Sequence, residues 1–388
     1  MQRGTFQLMK SVNKSIILNK IRSTEPISRA QIAKETKLTP PTVSSIVKEL
    51  IEQGIVIESN LGVSQGGRKP TMLHINNDAF YVIGVDAGPE SIGCILADLS
   101  GKIIERTASR INTPITNDQF MAIIKENIHK IIDAPSTNKD KIMGVGVGMH
   151  GVVDVETGTS LVAPNLNLTN IPLKDELEAE FNLIVRVEND ARTMALGESW
   201  FGGHDDVDSM VAVNLGHGVG AGFVYKGKLY HGAQDLAGEL GHMTIDINGE
   251  VCECGNRGCL QTFATGAAIV ERARKDIKDL PDNITGEEIY HRAQRGDDAY
   301  INVLHNTGVI IGVGLTNLIH LINPGRIVLG GGVTKSAKFI LPAIKQTIDQ
   351  RALTPEAKRT EVSVTRLGDD STLLGAISLL LVELFAPV

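Results

Sequence analysis

Twice after residue 80 the chain passes through the same succession of elements, which a single sheet with one core cannot hold. "YVIGVDAGPESIGCILADLSGKIIERTAS" gives three β-rich runs joined by tight turns, the last turn at Ser100-Gly101. An amphipathic helix near 117–132 then leads to the strand in "IMGVGVGMHG". "DSMVAVNLGHGVGAGFVYKGKLYHG" repeats the theme as a strand, a glycine turn, a returning strand and another hairpin. A repeated β-β-β-α-β-α order predicts two α/β lobes with a cleft between them, the usual home of a small ligand. The first lobe is expected over 80–193 and the second over 194–388, with a C-terminal helix near 373–388 returning to pack on the first lobe. Forty glycines against 14 prolines suit tight α/β connections, and 42% apolar content supplies a sizeable core. No long uncharged apolar run and no secretory leader are read, so a cytoplasmic chain without a membrane partner is expected.

Residues 1–76 are of another kind. They carry 11 Lys/Arg against 5 Asp/Glu, a net +6 that leaves −13 of the chain's −7 total on the rest. A basic segment on an acidic body points to a polyanion that binds the segment alone. "KSVNKSIILNKIRST" places Val12, Ile16, Ile17 and Ile21 at helical spacing. Ser28 can cap a second helix that buries Ile32 and Ala33. Thr39 can cap a third, with Pro40 and Pro41 in its first turn and Val43, Ile46, Val47, Leu50 and Ile51 as its buried stripe. The other face shows Thr42, Ser44, Ser45 and Lys48, small hydrogen-bonding groups and one cation suited to a major groove. "IVIES" and "TMLHIN" can pair as a wing, which completes a winged helix-turn-helix over 1–76. Arg68 and Lys69 in "SQGGRKP" fit either a minor-groove arm or a plain flexible tip.

A metal site is spelled out in "GHMTIDINGEVCECGNRGC", where His242, Cys252, Cys254 and Cys259 follow the spacing His-x9-Cys-x-Cys-x4-Cys. In a reducing cytosol such a cluster favours metal over disulfide. Three thiolates and one imidazole make a closed tetrahedral structural Zn2+ site with no position left for water. Cys94 stands alone in an apolar strand and is read as core.

"VIGVDAG", "LGHGVGAGF", "GELGHM…CECGNRGCL" and "NPGRIVLGGGV", in this order, resemble the ROK family of sugar kinases and sugar-responsive repressors. The resemblance runs from about Tyr81 to the C-terminus. With the winged helix and the "GGRKP" linker before it, the chain resembles the repressor branch. It implies an actin/hexokinase-like (ribonuclease H-like) α/β fold of two lobes, and a homodimer or tetramer. It also implies a role for several residues. "VENDARTMALGE" keeps the family's Asn189 and Asp190, the latter the base of the kinases; Asp190 is read as a helix N-cap too. Glu239 and His242 match family sugar contacts, and the metal set matches the family's zinc motif. Gln261 stands where relatives carry glutamate, so the hydroxyl pattern it reads would differ. Asn165 is a further contact by analogy, and His150 or Gly151 is expected near the sugar.

The kinases' "DxGGT" phosphate turn is altered. Asp86 and Gly88 remain, but Pro89 removes a backbone donor and Glu90 adds a negative charge. In "LGHGVG", His217 replaces a threonine of the second phosphate loop, whereas Gly330 to Gly332 are intact. The expected function is a dimeric repressor that binds operator DNA, senses a monosaccharide (xylose first, glucose next) and has no kinase activity. The competing reading is an ATP-dependent sugar kinase with an added DNA-binding domain, which Asp190 keeps open.

Overall fold

The computed structural model describes residues 12–61, 70–204 and 206–385. Its head contains α1 (Val12–Thr24), β1 (Ile27–Ser28), α2 (Arg29–Thr36), α3 (Pro40–Glu52), β2 (Val56–Leu61) and β3 (Thr71–Ile75). The two helix starts follow from local chemistry: the Ser28 hydroxyl accepts from the Gln31 N–H, and the Thr39 hydroxyl from the Thr42 N–H. Lys37, left-handed at φ 60°, makes the turn between α2 and α3. Strands β2 and β3 pair antiparallel as the wing. The two residues of β1 pair with β3, giving the order β1-β3-β2; a strand that short leaves no alternation to read. On α1 the buried face is Ile17, Leu18 and Ile21, while Val12 is 49% exposed, so the face is rotated from the one expected. Arg68 and Lys69 lie outside the described residues.

The body contains two sheets of one design. The first takes β4 (Tyr81–Ala87), β5 (Ser91–Asp98), β6 (Ile103–Arg110), β7 (Ile142–Met149) and β11 (Ile184–Asn189) in the order β11-β7-β4-β5-β6. Helix α4 (Asn117–Ile132) crosses from β6 to β7, and α5 (Leu173–Phe181) precedes β11. Between β7 and α5 lies a small sheet of β8 (Val152–Asp154), β9 (Thr159–Ala163) and β10 (Leu168–Ile171), which the sequence reading did not include. Helix α6 (Asp190–Phe201) leads to the second sheet of β12 (Ser209–Leu215), β13 (Val219–Tyr225), β14 (Lys228–Tyr230), β15 (Arg326–Gly330) and β16 (Glu361–Val364). Its order, β14-β13-β12-β15-β16, repeats that of the first. Helices α7 (Gln261–Ala264), α8 (Gly266–Asp276), α9 (Gly286–Gln294), α10 (Asp298–Ile322) and α11 (Ala337–Arg351) belong to the second lobe, and α12 (Ser371–Phe385) ends the described chain. In both sheets the first strand has an antiparallel hairpin on one side and parallel strands on the other.

The helices that follow the two sheets are exchanged. Helix α6 leaves the first sheet and packs on the second, where Met194 and Ala195 share a core with Met210, Ala212, Val224 and Val328. Helix α12 leaves the second sheet and lies on the first: a Cβ at Gly146 of β7 would sit 1.8 Å from the Ala376 carbonyl oxygen. The two helices also touch each other backbone to backbone, since a Cβ at Gly375 would fall 1.9 Å from the Thr193 carbonyl. Leu373, Ile377, Leu380, Leu381, Leu384 and Phe385 of α12 continue into the same buried cluster as Ile17, Leu18 and Ile21 of the head.

Helix α10 corrects the sequence reading. From Ala299 to Ile322 it has no Asp, Glu, Lys or Arg, and by length and hydropathy it could cross a membrane. Instead it is a core helix, with Val303, Leu304, Ile311, Leu315, Leu318 and Ile319 buried in the second lobe. Gly308 and Gly312 let α11 close against it.

Overpacking in a core typically costs about 1–3 kcal/mol, and a clash with backbone relaxes poorly. Gly146→Ala is therefore expected to cost about 3 kcal/mol, read from urea unfolding. Gly266→Ala, where a Cβ meets nothing within 4 Å, leaves the midpoint in place.

Candidate ligand cleft, metal knot and DNA-reading helix

Strands β4, β7 and β11 run parallel, so their C-terminal ends meet at one edge of the sheet, where open α/β folds bind ligands. Three titratable side chains gather there. Asp86 is the penultimate residue of β4, His150 follows β7, and Asp190 opens α6. His150 Nδ1 lies 3.5 Å from Asp190 Oδ2, and His150 Nε2 is 3.0 Å from Asn165 Oδ1. Loss of hydration pushes the Asp86 carboxyl up to about 7, the Asp190 charge adds to the rise, and His150 opposes it. For His150, burial disfavours the imidazolium, but the hydrogen bond and charge of Asp190 outweigh it and raise its pKa.

Asn189, not Asp190, is the N-cap of α6. Its side-chain oxygen accepts from the Ala191 and Arg192 N–H groups, and its amide donates to the Gly151 carbonyl and to Asp190 Oδ1. That leaves Asn189 no spare hydrogen-bonding capacity. Asp190 Oδ1 also accepts from the Ala191 N–H, whereas Oδ2 faces His150 and the cleft.

The two altered turns meet. His217, after β12, places Nε2 3.4 Å from Glu90 Oε1, so one lobe touches the other there. Glu90 is 76% exposed, so solvent screens its charge, and Pro89 before it has no backbone N–H to donate. Gly331 is held by the fold itself: a Cβ there would come within 2.4 Å of the Leu215 carbonyl.

His242, Cys252, Cys254 and Cys259 bring their ligand atoms within 4.8 Å of one another. Gly258, at φ 64°, makes this possible, because a Cβ there would strike the Asp246 carbonyl oxygen at 1.6 Å. Cys254 Sγ is 3.7 Å from Cys259 Sγ, and Cys252 Sγ is 3.7 Å from His242 Nδ1. A tetrahedron with metal–sulfur bonds of about 2.3 Å has edges of about 3.8 Å, so the donor set fits such an ion. The other ring nitrogen, His242 Nε2, turns to Glu239 Oε2 at 3.9 Å. Gln261 is placed differently from the sequence expectation: its amide donates to Cys252 Sγ at 3.3 Å, so it braces the knot. Only its carbonyl end, beside Gly218 and Gly241, points towards the lobe's glycine turn.

On α3, Thr39, Ser44, Ser45 and Lys48 are exposed, and Thr42 is half-buried with its hydroxyl 2.8 Å from that of Thr39. Lys48 is paired loosely with Glu52 at 3.7 Å and is 77% exposed, free to reach a phosphate. Behind this helix the head is seated on the body. The Arg22 guanidinium lies 4.0 Å from the centre of the Trp200 ring and 5.5 Å from that of Phe385, and the Asn19 amide donates to the Phe385 carbonyl. Arg22 and Trp200 went unnoticed in the sequence, although the sole tryptophan of the chain, near the end of a helix, was a signal.

The Asp86 pKa can be checked by carboxyl-carbon NMR. Asp190→Asn removes a repulsive charge and lowers it, and His150→Gln removes an attractive one and raises it. Because the folded value stands above the usual 3.8, Asp86 costs stability progressively as pH rises from about 4 through about 7.

Residues 82–383 match the ROK family, and residues 14–57 match a winged helix-turn-helix DNA-binding family. The chain is 32% identical over 394 residues to a xylose repressor of Caldicellulosiruptor bescii, covering 99% of this chain and 98% of that one. It is similar to the crystal structure of a ROK family transcriptional regulator described as a homologue of the E. coli MLC protein. That match has a TM-score of 0.85 and 29% identity, and covers 96% of each chain. A ROK family glucokinase from Streptomyces griseus, solved with glucose and AMPPNP, superimposes with a TM-score of 0.70 at 30% identity over 77% of this chain and 98% of its own. The family match over most of the chain and the full-length likeness to these relatives show that the chain belongs to the ROK family.

Proposed function

We propose that the chain is a sugar-responsive transcriptional repressor that binds operator DNA as a homodimer. The observation that carries this reading is helix α6. It begins at Asp190 in the cleft and ends beside Trp200, on which Arg22 of the head rests. Twelve residues span about 18 Å as a helix, so a displacement at the cleft reaches the head through one stiff element. A monosaccharide hydroxyl would meet Asp190 Oδ2, His150 and Asn165 on one lobe, and Glu239 and His242 Nε2 on the other. Bridging the lobes favours the closed cleft, and a ligand that binds one arrangement better shifts the population toward it. In a dimer, two heads engage half-sites about 34 Å apart or a multiple of that. A small rotation of either seat breaks the double engagement. Coupling of about 1–3 kcal/mol is typical of such linkage.

D-Xylose is the first effector to test, on the strength of the 32% identical xylose repressor, with D-glucose second. The ion fitting the knot is Zn2+, which offsets two of the three thiolate charges and fixes the His242 ring; the chain itself supplies the sugar contacts. The site of action is the cytoplasm, where an operator is reached. No kinase activity is proposed: Pro89 lacks the phosphate donor, and Glu90 and His217 occupy the approach. The retained Asp190, with Oδ2 beside His150, favours the rival kinase reading.

Calorimetry with D-xylose, D-glucose and N-acetyl-D-glucosamine is expected to find one binder that alters operator retention by about 5–150-fold. Asp190→Ala removes the binding and the sugar response while sugar-free operator binding stays. Indifference to every sugar refutes the reading, and ATP turnover with a sugar establishes the kinase.

Elemental analysis is expected to find one zinc per chain, lost in Cys259→Ser. Chelation then abolishes the sugar response by freeing His242, with sugar-free operator binding retained. An unchanged sugar response after complete metal loss contradicts the role given to the knot.

A further inference from the structure

Beside the cleft lies a charged cluster that none of the roles above uses. Glu188, the penultimate residue of β11, is 1% exposed, and Arg192, one turn into α6, is 2% exposed. A carboxylate so deeply buried must have its lone pairs filled, and this one does. Oε1 accepts from Arg192 Nε at 2.6 Å and from the Asn189 N–H at 2.7 Å, and Oε2 accepts from His231 Nε2 at 2.7 Å. His231 comes from the other lobe, just after β14, and its bond to Glu188 raises its pKa. Arg192 Nη1 reaches into the same loop and donates to the Asp235 carbonyl at 2.5 Å.

The loop between His231 and Glu239 is thus held twice by the first lobe's strand end and by α6. Inside the loop the Ala237 N–H donates to the His231 carbonyl, and the Gly238 carbonyl accepts from the Ala221 N–H of β13. Gly238 has φ 106° and no room for a Cβ, which would fall 1.8 Å from the Ala221 oxygen. The next residue is Glu239, which faces His242 Nε2. We infer that Glu188, Arg192 and His231 are positioning residues: a buried tether between the lobes that holds the 231–239 loop so that Glu239 and His242 face the cleft. They touch no ligand. Their service to a sugar site rests on the function proposed above, whereas the tether rests on the loop alone.

The tether also joins the second-lobe loop to α6, the helix that ends at the head. Glu188 and Arg192 form an ion pair that is costly to bury unless every group is matched. His231, being partly exposed, is the member whose removal keeps the Glu188–Arg192 ion pair and takes only the donor to Oε2.

The test uses the full chain with its metal. In hydrogen–deuterium exchange, His231→Ala is expected to speed exchange of the 231–240 amides about tenfold or more, the scale of one lost charge-assisted bond. His231→Gln keeps a donor and restores protection, which a mere loss of bulk does not explain. Metal content and sugar-free operator binding stay at wild-type values in both variants. If wild type binds D-xylose, His231→Ala weakens that binding about tenfold and His231→Gln recovers most of it. Unchanged loop exchange in His231→Ala, or no rescue by glutamine, overturns the tether. A wild-type chain that ignores D-xylose, yet shows the exchange pattern, keeps the tether and counts against D-xylose as the effector.

Discussion

The architecture depends on two backbones meeting where side chains would normally intervene. Helices α6 and α12 approach so closely that Gly375 faces the Thr193 carbonyl and Gly197 faces Gly375, while α12 rests on β7 through Gly146. Each helix belongs in sequence to one sheet and packs on the other. Such an exchange couples the lobes mechanically, because neither helix can shift without moving against both its partner and a sheet. Close packing of this sort resists gradual deformation and favours a small number of discrete arrangements. A cleft built on that crossing has what a switch needs.

The same crossing explains the division of labour within α6. Its first turn is crowded with polar work: Asn189 caps it, Asp190 faces His150, and Arg192 is clamped by Glu188. Its middle makes close contacts through small residues, Ala195 against β13 and Gly197 against α12. Its end carries Trp200 and Phe201, beyond the sheet. A helix with chemistry at one end, a sliding surface in the middle and an aromatic seat at the other can report a change at the cleft without transmitting it residue by residue.

Much of this was legible because local signals and global fold agree. Ser28 and Thr39 announce the helix starts, Pro40 and Pro41 the first turn of the recognition helix, and the cysteine spacing the metal knot. The repeated hairpin-and-crossover pattern carries both large sheets. What was not legible depends on partners far away in the chain. A pattern cannot tell that the Gln261 amide serves Cys252 Sγ, that Glu90 of one lobe meets His217 of the other, or that Glu188 bonds a histidine 43 residues on. The insert of β8, β9 and β10 escaped because its strands are short and half-exposed, so their alternation is weak. Helix α10 is an uncharged run that the sequence reading passed over: its composition is that of a membrane span, and its packing against α11 shows that its apolar side is core.

The seat of the head completes the physical picture. Ile17, Leu18 and Ile21 of α1 share one buried cluster with α12, so the head is not a bead on a string. A flexible tether would let two heads find their half-sites whatever the bodies did, and effector binding would then have nothing to act on. A packed seat instead fixes the placement of the head on the body. Arg22 adds a contact suited to change: a guanidinium on an aromatic face is worth about 0.5–1 kcal/mol when exposed, enough to bias the seat and too little to lock it. A repressor has to hold its operator and also let go. The continuous apolar cluster supplies the first requirement, and the weak polar contacts at its rim leave the second within reach of one small ligand.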